Sequence, residues 1–139
     1  MNREILFRGK RTDNGEWVEG LVARYNPKFD CANIVDDFES LVPVKTETVG
    51  QYTGLTNKNG KKIFEGDIVK HYNHCDIKEY SEDIGRVFYY TETCRFLRTS
   101  KLFPDDCPEI YSSCEYEVIG NIYDNPELIG GINNAKVEP

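Results

Sequence analysis

The sequence is 139 residues long, with a formal charge of −7 and a pI near 4.9. This length fits one domain or one domain with an extension, and it can bury a core without metals or disulfides as staples. The acidic balance argues against a general nucleic-acid binder, since such proteins present a basic face. The local exception is a basic edge near the N-terminus, formed by Arg3, Arg8, Lys10 and Arg11.

The choice of apolar residues favours strands. Ile and Val total 21 residues against 7 Leu, and there are 17 aromatic residues. Branched and aromatic side chains pack well on a pleated surface, so the composition predicts an all-β fold. No apolar run approaches the roughly 20 residues of a membrane span, and MNREILFRGKR does not fit a signal peptide. We therefore expect a cytoplasmic protein with no membrane partner.

The first 46 residues read as a β-rich segment. Asn14-Gly15 lies between apolar runs and predicts a hairpin with a type I′ turn, with strands near 3–10 and 16–25. Residues 26–39 are polar and predict an irregular connection. Pro43 predicts an edge strand or a strand end, because proline has no backbone N–H for a central ladder.

The glycine-containing stretch TVGQYTGLTNKNGKKIFEGDIV is a candidate phosphate-binding loop, and its spacing can be compared with a Walker A loop. A Walker A loop requires four residues between its glycines and a Ser or Thr after the Lys. Here five residues separate Gly54 from Gly60, and Lys62 occupies the hydroxyl position. Asn59-Gly60 instead predicts a second type I′ hairpin, with positive φ at both residues and no helix nearby.

The remaining pattern predicts a C-terminal β-domain over residues 47–132 and a loose tail over 133–139. Further strands are expected around IGRVFYY and TCRFLR, and then at CEYEVIGNIY. In that last strand, strict alternation places Tyr116, Val118, Gly120 and Ile122 on one face. Pro126 suits the first position of a short helical turn near residues 125–129.

No cluster of reactive side chains predicts catalysis. His71, His74, Cys75 and Asp76 gather metal-ligand types, but zinc sites usually pair two such clusters, and we expect no metal or other cofactor. The five cysteines have irregular spacing, which indicates thiols packed as small apolar groups. We expect no enzyme activity; a buried pocket holding His71 or His74 beside a carboxylate would indicate otherwise.

Basic and aromatic residues interleave from Arg86 to Arg98, RVFYYTETCRFLR. One interpretation is a surface on which single-stranded nucleic acid stacks its bases while arginines meet phosphates. The other is an ordinary half-buried pair of strands, with Val87, Tyr89 and Phe96 facing the core and their neighbours facing outward. An exposed aromatic patch would serve equally as a protein–protein surface.

Three blocks carry a family resemblance: REILFRGKR with NGEWVEG, then TVGQYTGLTNKNGKKIFEGDIV, then YEVIGNIYDNPELI. In this order they span residues 3 to 129, and the chain resembles the YopX family, whose members are encoded largely in phages and prophages. The resemblance implies a C-terminal SH3-like β-roll preceded by a β-rich segment. It implies no activity, cofactor or catalytic residue, so no site residue is carried over.

These observations lead to one functional expectation and one alternative. We expect a small non-catalytic binding or regulatory module of phage or prophage origin, with a host, phage or identical chain as its protein partner. A β-rich arm that completes a neighbour's sheet edge would make it a homo-oligomer. The alternative is single-stranded nucleic-acid binding through Arg86 to Arg98.

Overall fold

The computed structural model describes residues 4–57, 59–72, 82–100 and 115–129. These residues form strands and short 3-10 turns, with no α-helix among them, so the predicted all-β fold is confirmed. The strands are β1 (Phe7–Lys10), β2 (Trp17–Asn26), β3 (Cys31–Val35), β4 (Leu41–Val44), β5 (Gly50–Thr56), β6 (Lys62–Phe64), β7 (Asp67–Tyr72), β8 (Glu82–Tyr90), β9 (Arg95–Arg98) and β10 (Glu115–Asn121). No helix in these described ranges is long and apolar enough to cross a membrane.

The chain divides into two compact units after Gly54. One sheet has the order β4-β3-β2-β1-β5-β6, in which β5 pairs with β1 at its start and with β6 further on. The other sheet has the order β10-β7-β8-β9. Neighbouring strands run antiparallel, as short hairpin connections require.

The first unit curls into a barrel-like sheet around a small apolar interior. The end of β1 returns to β4 through a bridge between Arg11 and Val44, and Thr12 donates its N–H to the Pro43 carbonyl over 3.1 Å. A Cβ at Gly9 would lie 3.0 Å from the Val44 side chain, so glycine permits this close approach. The interior consists of Ala32, Ile34, Val42 and Val44, with Val18, Val22 and Val49 packed against them.

The prediction of an irregular connection over residues 26–39 was wrong. This part of the chain holds a 3-10 turn, Pro27–Phe29, and then β3, which pairs with both β2 and β4. Only Ala32 and Ile34 of β3 are buried, so the buried part of this strand consists of two small or medium apolar side chains. The prediction of an edge position for Pro43 is confirmed, because β4 is the first strand in the sheet order.

Both Asn-Gly hairpins form, but the type I′ turns were wrong. Gly15 and Gly60 have φ of 75° and 84°, whereas neither preceding Asn is left-handed. Arg11 N–H binds the Glu16 carbonyl around a four-residue loop, and Asn57 N–H binds the Lys61 carbonyl around a three-residue loop. Loops of these lengths need only one left-handed residue, a glycine, before the second strand.

The second unit has its own core and one irregular strand. Ile63, Val69, Val87 and Tyr116 form this core, with Leu55 and Val118 against it. In β10 the register shifts between Val118 and Gly120, so a bulge breaks the strict alternation that the sequence predicted. The predicted helical turn is confirmed as a 3-10 turn over Pro126–Ile129, which buries Ile129.

Candidate functional site

A buried polar network lies across β7, β8 and β9. Asp83 and Arg98 form an ion pair of 2.8 Å, with side-chain exposures of 8% and 6%. The same carboxylate oxygen accepts a 2.6 Å hydrogen bond from Ser100 Oγ, and the other oxygen accepts the Ile84 N–H at 3.0 Å. The negative charge of Asp83 is therefore paired and hydrogen-bonded at both oxygens, as a buried charge requires.

His71 is one of the two histidines that would indicate catalysis if they lay in a buried pocket beside a carboxylate. It faces Asp83 across the β7–β8 ladder, but Arg98 contacts both side chains, and its Nη2 lies 3.1 Å from His71 Nδ1. A guanidinium only donates, so Nδ1 of His71 is the acceptor in this contact. The ring also stacks on Tyr116, with centroids 5.0 Å apart.

The contacts of this network connect strands β7, β8 and β9, and they occupy the groups that a catalytic site would need free. A general base needs an open lone pair within reach of a substrate proton. The Nδ1 lone pair of His71 faces the guanidinium, and the Asp83 carboxylate is buried beneath Arg98 and Ser100. The network therefore acts as a structural clasp within the second unit.

Several residues of the metal and cysteine predictions lie in the part of the chain that the structure does not describe. His74, Cys75, Asp76, Cys107 and Cys114 lie outside the described residues. Within the described ranges, no group of three or more His, Cys, Asp or Glu side chains is placed to hold a metal ion. Cys31 is half-buried and Cys94 is exposed, so the expected packing as an apolar group does not hold for Cys94.

The interleaved stretch from Arg86 to Arg98 forms the β8–β9 hairpin, and most of it is covered. Arg86 and Arg98 are only 7% and 5% exposed. Val87 is buried as predicted, but its neighbour Phe88 is buried too and packs with Leu97, so the expectation that neighbours face outward was wrong.

The outer part of this hairpin is a small aromatic pair. Tyr89 and Phe96 meet edge-to-face at 5.1 Å, and Arg95 is exposed beyond them. A side-chain hydrogen bond with Cys94 raises the pKa of Tyr89 above its ordinary value. With two of its three arginines buried, the hairpin offers phosphates little cationic surface.

The predicted basic edge is also largely engaged. Arg8 is 8% exposed and its guanidinium lies 4.5 Å from the Trp17 ring centroid, with Lys10 over the same ring. Arg11 pairs with Asp13 at 2.9 Å, which lowers the pKa of Asp13. Arg3 lies outside the described residues.

An apolar row crosses the outside of the first unit. Leu21 pairs with Val35, and Val35 pairs with Leu41, so these side chains form one line across β2, β3 and β4. Leu21 is 56% exposed, Leu41 is 64% exposed and Val35 is half-buried. Their chain neighbours Val22, Ile34 and Val42 face the interior, so the row lies on the opposite side, which we call the outer face.

The β3–β4 turn adds a fourth apolar side chain beside this row. Phe38 is 88% exposed at the tip of the turn. The turn is held in place by Asp36 Oδ1, which accepts the N–H groups of Phe38 and Ser40, both at 2.9 Å. Glu39 adopts φ of 62°, a left-handed conformation that this local bonding maintains.

Sequence reasoning missed the outer face because it missed β3. Without Cys31–Val35 as a strand, Leu21 and Leu41 belong to separate elements and no row connects them. The signal was present in the alternation of Ala32 and Ile34 with Asn33 and Val35. Such an alternation over five residues is too short to separate a strand from a loop by pattern alone.

Comparison of the chain with models of known protein families identifies its family. The family model described as YopX protein matches residues 6–130, which is most of the chain. The chain belongs to the YopX family. The resemblance carried by the three sequence blocks is therefore confirmed.

Among solved structures, this YopX chain is similar to protein EF1440 from Enterococcus faecalis. The two are 24% identical with a TM-score of 0.55, and the match covers 92% of this chain and 99% of the other. At this identity the likeness shows the shared fold and nothing of the activity. No curated protein matches the chain.

Proposed function

We propose that this YopX-family protein is a non-catalytic binding or regulatory module, of phage or prophage origin, that contacts a protein through the outer face of its first unit. The observation that carries the proposal is the exposed row of Leu21, Val35 and Leu41 with Phe38 beside it. Contiguous exposed apolar side chains of this kind mark interaction surfaces more often than they serve the fold.

The row is not needed to close the interior. The interior of the first unit is already filled by side chains on the other side of the same strands, such as Ile34 and Val42. Folding therefore gains little from Leu21 and Leu41, which remain more than half exposed. A large rigid side chain held out by a hydrogen-bonded turn, as Phe38 is, loses little entropy on binding and suits an anchor.

The polar network of the second unit supports the non-catalytic part of the proposal. Arg98 contacts both His71 and Asp83, and this arrangement leaves the histidine lone pair facing a cation. The regulatory role and the phage origin rest on the family and on the expectation drawn from its resemblance.

Affinity capture with matched variants tests the proposal. The full chain is immobilised and exposed to lysate of cells carrying its gene, alongside Leu41→Lys and the control Phe29→Ser. Phe29 is 71% exposed but lies at the opposite end of β3, in the 3-10 turn Pro27–Phe29. A charge in the apolar row should reduce the captured proteins by at least about tenfold, because an unpaired ammonium must be desolvated in the contact.

The control separates the outer face from general hydrophobic adhesion. Phe29→Ser should retain the proteins captured by the wild type. If Phe29→Ser loses them as completely as Leu41→Lys does, or if Leu41→Lys retains them, the outer face is not the contact surface and the proposal is rejected.

A further inference from the structure

We infer that the protein bound at the outer face is a second copy of this chain, related to the first by a twofold axis that runs along the apolar row. This inference rests on the proposed function and names its partner. It comes from the arrangement of charges on either side of the row, which is complementary to itself.

The first charged pair lies on β2. Val18 and Val22 pack against the interior, so the alternating residues Glu19 and Leu21 face outward. Beyond Leu21 the register shifts: Val22 pairs with Ile34, but Arg24 pairs with Asn33, and Ala23 is the extra residue of a bulge. The bulge puts Arg24 on the outer face, so Glu19 and Arg24 lie one pleat from Leu21 in opposite directions.

The second set of charges lies along β3 and β4. The turn that connects these strands carries Asp36, Asp37 and Glu39 at one end of the row. Lys45 follows β4 at the other end and is exposed. Asp30 lies at this basic end too, but its carboxylate accepts the Thr46 N–H at 3.4 Å. On β2, β3 and β4 the outer face therefore runs from acidic, through apolar, to basic along the strand direction, whereas Arg8 and Lys10 of the neighbouring β1 lie over Trp17.

A twofold axis along the apolar row makes these charges meet. It lays the row of one copy on the row of the other and reverses the strand direction. Glu19 of each copy then faces Arg24 of its mate, and the acidic turn of each copy faces Lys45 of its mate. Because an isologous interface repeats every contact twice, each complementary pair counts twice in the affinity and the specificity.

The size of the apolar row limits the affinity that we expect between the two copies. Stable interfaces bury roughly 800 Å² per partner, which a row of three side chains with Phe38 beside it does not reach alone. The association should therefore be reversible and concentration-dependent, with a dissociation constant on the order of 10 µM at low salt. Raising the ionic strength should weaken it, since the flanking pairs are exposed.

Charge reversal tests the twofold arrangement. Sedimentation velocity of the full chain at low salt is measured over a range of concentrations for the wild type, Glu19→Arg, Arg24→Glu and the double variant Glu19→Arg/Arg24→Glu. Each single reversal places like charges opposite each other twice and should raise the dissociation constant by at least about tenfold. The double variant should return to within about threefold of the wild type.

Mixing the two single variants gives the sharpest result. Neither variant alone pairs well, but together they restore opposite charges at both positions, so an equimolar mixture should form dimers that neither component forms alone. Glu127→Arg, an exposed reversal in the second unit, should change nothing. Circular dichroism of each variant confirms that a lost dimer is not a lost fold.

Two results would overturn the inference: a wild-type chain that stays monomeric up to roughly 1 mM, or single reversals that the double variant and the mixture fail to rescue. Neither touches the proposed function. A strict monomer that captures another protein through Leu41, and not through Phe29, keeps the outer face as a contact surface and replaces the second copy with that protein.

Discussion

At the residue scale, Asp83 is a buried charged group of the second unit that is held by hydrogen bonds at both carboxylate oxygens. Its carboxylate accepts from Arg98, Ser100 and the Ile84 N–H, and its side chain is almost fully buried. Asp83→Asn leaves the buried guanidinium of Arg98 without its counter-charge. Removing one partner of a buried pair usually costs about 3 kcal/mol of unfolding free energy.

We therefore predict that Asp83→Asn lowers the free energy of unfolding by about 3 kcal/mol in urea denaturation. Asp37→Asn, an exposed carboxylate in the β3–β4 turn, should change it by less than about 0.5 kcal/mol. Equal effects of the two substitutions would mean that the Asp83–Arg98 pair does not hold these strands together.

At the element scale, glycines serve two different purposes. Gly85 lies where β8 meets the chain after β9, and a Cβ there would come within 1.7 Å of the Thr99 carbonyl oxygen. Gly15 has open space around it and is required only for its φ of 75°. The first glycine permits a close approach of two backbones, and the second permits a turn.

The two substitutions to alanine should therefore differ in cost. Gly15→Ala places a side chain in the left-handed region, which costs about 1 kcal/mol. Gly85→Ala forces two backbones apart and should cost about 3 kcal/mol or more, because the obstacle is a carbonyl group with no rotamer to relieve it. Urea denaturation of both variants compares them; a smaller loss for Gly85→Ala would contradict the packing at Thr99.

Sequence patterns recovered the elements with strong local signals. The Asn-Gly hairpins, the strand around IGRVFYY and the turn that begins at Pro126 each depend on neighbours in sequence. The turn types were wrong because loop length is set by the register of the two strands, which adds one or two residues before each glycine. The bulge after Val118 was not predicted, because an inserted residue leaves the local composition of the strand unchanged.

The candidate surfaces were harder to predict, for a physical reason. Alternation separates the two faces of a strand, but burial of one face depends on what packs against it. Leu21 and Leu41 have apolar side chains of the kind that cores use, and yet they are exposed. Arg86 and Arg98 read as surface residues and prove to be buried. Both outcomes depend on long-range pairing, which no single stretch of sequence contains.

At the scale of the whole molecule, the sheet of the first unit carries apolar side chains on both of its sides. Ile34 and Val42 hold the first unit together from inside, while Val35 and Leu41, their immediate neighbours, face outward. The second unit is stabilised by an apolar core and by the Asp83 clasp. The proposed contact surface therefore consists of side chains that contribute little to the interior of the first unit.

Site-specific photo-crosslinking tests this claim most directly. A benzophenone side chain replaces Leu41, which is 64% exposed, and a matched one replaces Phe29, which is 71% exposed and precedes the start of β3. After irradiation in cells, position 41 should yield discrete protein adducts, to this chain or to another, whereas position 29 should yield few. Adducts at position 29 in equal yield, or none at position 41, would contradict the assignment of the outer face as the contact surface.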